Sequence, residues 1–157
     1  MTRILIFSAL LLALDQLTKL WVVEILNLRQ KRAIDVFPPF INFRMAWNEG
    51  INFGLLSGLD IDAMRWVLIG VALVVAICVL WWGRTFTSWF GALLVAMIVG
   101  GAIGNSIDRI RYGAVADFLN MSCCGYRNPF SFNVADITVF LGVIGLVLFS
   151  ERLARKA

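Results

Sequence analysis

The sequence predicts an all-α membrane protein: four transmembrane helices with a small β-hairpin or β-sheet element outside the lipid. Three observations predict it. Of 157 residues, 61% are apolar and only 15% charged, against roughly 45–50% and about 25% in soluble domains. A globule this small has too little interior to hide that apolar surface, so lipid must solvate much of it. The apolar residues also fall in runs long enough to cross a bilayer core, which takes about 20 residues of helix. The charges gather between and at the ends of those runs.

The first span covers residues 4–26 and is interrupted by Asp15, Lys19 and Glu24. Its opening stretch after Arg3 resembles a signal-peptide core. No small-x-small cleavage site follows and apolar character resumes at Leu20, so the helix is expected to be retained. The second span, 64–82, is uninterrupted but for Arg65 near its start and ends on the interfacial pair Trp81 and Trp82. The third, 86–107, is uncharged, and the fourth, 134–150, holds Asp136 near its start. Segments 27–63 and 108–133 then lie on one side of the membrane and both termini on the other. In the first segment Ile41, Phe43, Met45 and Trp47 alternate with polar or small residues, and Ile51, Phe53 and Leu55 alternate after Asn48-Glu49-Gly50. That pattern reads as a hairpin turning at Gly50. No tandem repeat or long linker divides the chain, so residues 1–157 are read as a single domain.

The net charge of +4 points to anionic headgroups of membrane lipids and not to nucleic acid, because no basic stripe is present. Counting basic residues leaves the orientation open: their density favours an internal N-terminus, their number an external one. The chain contains no histidine. This excludes Ser-His-Asp and Cys-His catalysis and every histidine-ligated metal site. Carboxylates become the most plausible acid–base groups, with no metal and no cofactor expected.

Asp15 lies roughly 16 Å along the first helix at 1.5 Å per residue. An acid at that depth is a functional candidate by default, although Lys19 four residues on offers a structural ion pair. Gly100 and Gly104 form a GxxxG packing face. Gly101, Asn105, Asp108 and Arg109 share a helix face. Packing explains the glycines, and an interfacial pair of Asp108 with Arg109 or Arg111 explains the charges, but neither explains Asn105. Asn133 and Asp136 match a helix-start capping box, whereas Asp117 sits in an apolar stretch and caps no helix. Two carboxylates in a poorly solvated site share a proton. The ionised one can take a proton from water attacking a carbonyl while its partner donates to the carbonyl oxygen. Cys78 reads as packing within its span, and the adjacent Cys123 and Cys124 carry no assigned function. Two rivals use the same residues: a small ion- or proton-coupled transporter relaying through Asp15, Asp117 and Asp136, and a non-catalytic assembly subunit packing through GxxxG.

Several motifs occur in a characteristic order: Asp15-Gln16-Leu17-Thr18-Lys19, Asn48-x-Gly50 with Phe53-Gly54, Gly104-Asn105-x-x-Asp108-Arg109, Gly113-x-Val115-x-Asp117-Phe118, and Phe132-Asn133-Val134-Ala135-Asp136. Each is weak alone; together, across nearly the whole chain, they resemble the lipoprotein signal peptidases (signal peptidase II). The resemblance implies a bacterial inner-membrane aspartic endopeptidase with both termini cytoplasmic, an extracytoplasmic β element and a site near the periplasmic face. Its implied substrates are prolipoproteins, cut before a diacylglyceryl-modified cysteine, and cyclic-peptide inhibitors are implied ligands. Asp117 and Asp136 correspond to the catalytic pair. Asp15, Asn48, Gly50, Asn105, Arg109, Asn133 and Ala135 correspond to supporting or substrate-binding positions. The chain departs from the family at Ile51 and Asn52, where small residues are usual, and at Ser122–Arg127, where the family is often aromatic-rich.

Overall fold

The computed structural model describes residues 1–50, 61–123, 125, 126 and 128–154. Helix α1, Thr2–Lys19, continues as a π-helical segment, Leu20–Ile25, and is followed by the single turn α2, Leu28–Lys31. Strands β1 (Ala33–Phe37) and β2 (Ile41–Asn48) come next, then the long helices α3 (Ile61–Gly83) and α4 (Trp89–Tyr112), strand β3 (Val115–Met121) and helix α5 (Val134–Ala154). Four helical segments, Thr2–Ile25, Asp62–Gly83, Trp89–Tyr112 and Val134–Leu153, are long and apolar enough to cross a membrane. They match the four predicted runs, with the third starting later because Ser88 caps α4 by accepting the Gly91 N–H at 3.0 Å.

Helix α4 is the centre of the bundle and packs against α1, α3 and α5. Of its apolar stretch 61% is buried, against 17% for α3. Small residues permit this. A Cβ at Gly101 would meet the Ala135 carbonyl of α5, and one at Gly104 would meet the Asp15 carboxylate of α1. The glycine face therefore serves two neighbours, and it draws α1 and α5 close to the stretch of α4 that carries Asn105. The outward faces present Leu5, Leu10, Val71, Val74, Ile77, Phe140 and Val147, as helices solvated by lipid require. Cys78, expected to pack inside, is exposed on such a face.

The three strands form one antiparallel sheet in the order β1-β2-β3. It sits at the end of the bundle where α1 and α4 finish and α5 begins. Val22, Val23 and Leu28 pack with Phe43, Ala116 and Phe118 of the strands, and the rings of Phe43 and Phe118 meet edge to face at 5.8 Å. The expected strand at residues 41–47 is present, and among the described residues its partners are β1 and β3. It pairs with β1 in the register Ala33↔Arg44 and with β3 in the register Ala46↔Asp117. Alternation identified the strand; it carries no information about which neighbour pairs with it. Residues 51–55, the expected second arm, and Cys124 lie outside the described residues.

Candidate active site

Asp117 enters the site from β3, Asn48 from the end of β2, Asn105 and Arg109 from the last turns of α4, and Asn133 and Asp136 from the start of α5. The capping box expected at α5 forms. The Asn133 N–H donates to Asp136 Oδ2 at 3.1 Å, and the Asp136 N–H donates to Asn133 Oδ1 at 2.9 Å. The same Asn133 reaches the other aspartate, its Nδ2 donating to Asp117 Oδ1 at 2.6 Å. Cap and site are therefore one structure, with Asn133 bridging the two carboxylates.

The remaining oxygens are held in the same manner. Asn48 Nδ2 donates to Asp117 Oδ2 at 3.1 Å and Asn105 Nδ2 to Asp136 Oδ1 at 2.9 Å. Each carboxylate oxygen thus accepts one N–H, and among the described residues no cation forms an ion pair with either acid. Each asparagine is oriented by a donor on its own oxygen. The Gly50 N–H holds Asn48 Oδ1 at 2.9 Å, and Gly50 takes a left-handed φ of 87° to make that turn. The Asp136 N–H holds Asn133, and the Lys19 ammonium holds Asn105 Oδ1 at 3.2 Å. Arg109 folds back on the Asn105 carbonyl, and its guanidinium would lie 3.7 Å from a Cβ at Gly50.

Asp117 is 3% exposed. Burial, and then the nearby Asp136 carboxylate, push its pKa up to about 7, because a poorly solvated acid beside a like charge resists ionisation. Near neutral pH Asp117 is therefore poised between its protonated and ionised forms. A hollow of about 530 Å³ opens beside Asp136, lined by Met121, Phe132, Ile137, Phe140 and Leu141. Its lining is apolar apart from Asp136.

Asp15 and Ala135 meet each other one layer behind the pair. Asp15 Oδ1 accepts the Ala135 N–H at 2.9 Å, satisfying an otherwise orphaned donor at the start of α5. Asp15 Oδ2 binds Lys19 at 2.8 Å, the i,i+4 pair read from the sequence. Asp108 does not pair with Arg109 or Arg111. Its Oδ2 lies 2.7 Å from Lys19 Nζ and also accepts the Ala116 N–H, while Gln16 Nε2 donates to its Oδ1 and to Asp15 Oδ2. Asp108 is 1% exposed and Lys19 2%. Sequence reasoning placed Asp108 at the interface and stopped Lys19 at Asp15. The available signal was that Asp108 shares a face with Gly104, whose close approach to α1 brings that face against Lys19.

A family model described as "Signal peptidase (SPase) II" matches residues 7–152. A lipoprotein signal peptidase from Methylorubrum extorquens (strain PA1) is 40% identical over 149 residues, covering 93% of this chain and 84% of that protein. Another, from Sphingopyxis alaskensis, is 37% identical over 154 residues, covering 98% and 87%. A solved structure described as a bacterial membrane enzyme is similar with a TM-score of 0.77 at 24% identity, over 94% of this chain and 92% of its own.

Proposed function

The chain belongs to the signal peptidase II family, a lipoprotein-processing membrane protease, and from that premise we propose that it is an aspartic endopeptidase with Asp117 and Asp136 as its catalytic pair. The observation that carries this reading is the Asn133 bridge: two acids joined through one asparagine, by its side-chain amide and its backbone N–H, with N–H donors and, among the described residues, no cation paired with their oxygens. Carboxylates held this way keep one proton between them. The ionised member removes a proton from a water molecule, whose oxygen bonds to the scissile carbonyl carbon. The protonated member gives its proton to the carbonyl oxygen, forming a tetrahedral diol. Collapse breaks the C–N bond as the pair returns a proton to the departing amine, leaving a new carboxyl terminus and a new amino terminus. The donors on the carboxylates hold both acids in place without neutralising them.

The substrate is a prolipoprotein cut before its diacylglyceryl-modified cysteine. Its signal helix enters from the lipid, and the apolar hollow beside Asp136 receives side chains next to the scissile bond. The protein sits in the bacterial inner membrane with both termini cytoplasmic and the sheet and aspartates near the periplasmic face. Asn48, Gly50, Asn105, Arg109 and Asn133 organise the pair or contact substrate, and Asp15 and Ala135 anchor the start of α5. Binding of cyclic-peptide inhibitors follows from the same reading. A relay through Asp15 has little support, since Lys19 already neutralises that acid. The test is cleavage of a diacylglyceryl-modified precursor by purified protein in detergent with chelator present, the product mapped by mass spectrometry. Near-normal turnover by Asp117→Asn or Asp136→Asn would falsify the assignment.

A further inference from the structure

Asn105 differs from the other two asparagines in what orients it. Asn48 and Asn133 are held by backbone N–H groups two and three residues away in the chain. Asn105 Oδ1 is held by the side chain of Lys19, from another helix. An ammonium carries three donors and no acceptor, so it accepts only the oxygen side of a carboxamide. The amide nitrogen must then point the other way, where Asp136 Oδ1 receives it at 2.9 Å. Lys19 has no freedom to do otherwise, because its three partners are Asp15 at 2.8 Å, Asp108 at 2.7 Å and Asn105 at 3.2 Å. Asn133 Nδ2 also approaches Asn105 Oδ1 at 3.2 Å, but its shorter bond is to Asp117 at 2.6 Å.

We infer that Lys19 is a positioning residue for the catalytic pair: by occupying the oxygen of Asn105 it commits that side chain's nitrogen to Asp136. The inference rests on the reading of Asp117 and Asp136 as catalytic. It gives the buried ion cluster a task besides joining α1 to α4. Turning the Asn105 amide over would set an oxygen against the Asp136 carboxylate and remove the hydrogen bond to its Oδ1.

The test is steady-state cleavage of a diacylglyceryl-modified precursor by full-length protein across pH. The variants are Lys19→Met, the charge-balanced Lys19→Met/Asp108→Asn and Lys19→Arg, each with and without Asn105→Ala. If Lys19→Met fails to fold, the charge-balanced pair carries the experiment. Loss of Lys19 is expected to lower kcat about 10–100-fold, as outer partners of a site typically do. KM stays nearly constant, and Lys19→Arg restores part of kcat. In the Asn105→Ala background, removing Lys19 changes kcat by less than about twofold, the signature of two residues acting through one contact. The alkaline limb of the pH profile moves upward. Asp15 and Asp108 face Lys19, and Arg109 stays beside the pair, so the lost ammonium is the change the acids feel. An equal kcat loss with and without Asn105, or a raised KM at unchanged kcat, overturns the inference. Inactive Asp117→Asn and Asp136→Asn controls alongside such a result confine the failure to Lys19; active ones sink the catalytic pair itself.

Discussion

Asp15 and Asp108 share a lysine; Asp117 and Asp136, reached from that lysine through Asn105, share only carboxamides and a backbone N–H. Both clusters are built from two aspartates, of which Asp15, Asp108 and Asp117 are buried and Asp136 is half-buried at the edge of the hollow. In the first, one ammonium lies against both acids, and Gln16 and backbone N–H groups of Ala116 and Ala135 take up remaining lone pairs. In the second, neutral donors hold the geometry but leave the repulsion between the acids in place. One ammonium distinguishes the pair that ties two helices together from the pair that faces no cation among the described residues.

The contrast breaks most sharply under charge removal. Asp117→Asn or Asp136→Asn should lower turnover by at least about 10²–10⁴-fold, the range of a lost acid–base group, while the melting temperature is unchanged or raised. A melting temperature that collapses along with activity would merge the two clusters into one structural unit. Lys19→Met should do the reverse in emphasis. Leaving two buried acids uncompensated is expected to cost about 3–5 kcal/mol of stability, read by thermal unfolding in detergent. The charge-balanced Lys19→Met/Asp108→Asn variant should recover part of that loss.

A pH series sharpens the same distinction. With its pKa raised to about 7 by burial and by Asp136, Asp117 binds its proton more tightly in the folded state than in the unfolded chain. Its contribution to stability is therefore complete below the ordinary carboxylate pKa of about 3.9 and lost as pH rises through about 7. Turnover should fall over the same alkaline range as the pair loses its shared proton. Asp117→Asn should flatten the stability trend there, and an unchanged trend would remove Asp117 as its source. The smallest effect belongs to the exposed pair Arg44–Asp35, at 2.7 Å. Its geometry matches that of the buried cluster, but it lies in water. Asp35→Asn should cost less than about 1 kcal/mol and leave turnover unaltered.

The long helices were legible because lipid demands uninterrupted apolar runs, and the α5 capping box was legible because it is local in sequence. The dyad could be proposed from the absence of histidine and from Asp117 lacking a capping role; most of its supporting residues rested on the motif resemblance. β3 was read only as a short apolar stretch, since Val115–Phe118 is buried throughout and a strand covered on both faces shows no alternation. β1 has five residues, too few to show a period. The Lys19–Asp108 contact joins two helices far apart in the chain. Nothing local distinguishes a lysine with one acidic partner from a lysine with two.

The geometry proposed as catalytic also sets a clock on biosynthesis. Asp117 emerges with its β2 partner Asn48 already made, but Asn133 and Asp136 belong to the last helix. Until α5 has been translated and seated on the Asp15 carboxylate, the growing chain holds one of the two acids proposed as catalytic. On the proposed assignment, competence is gained only when the final span docks. A chain ended at Phe132 should cleave nothing, and should regain turnover when the missing helix is supplied in trans.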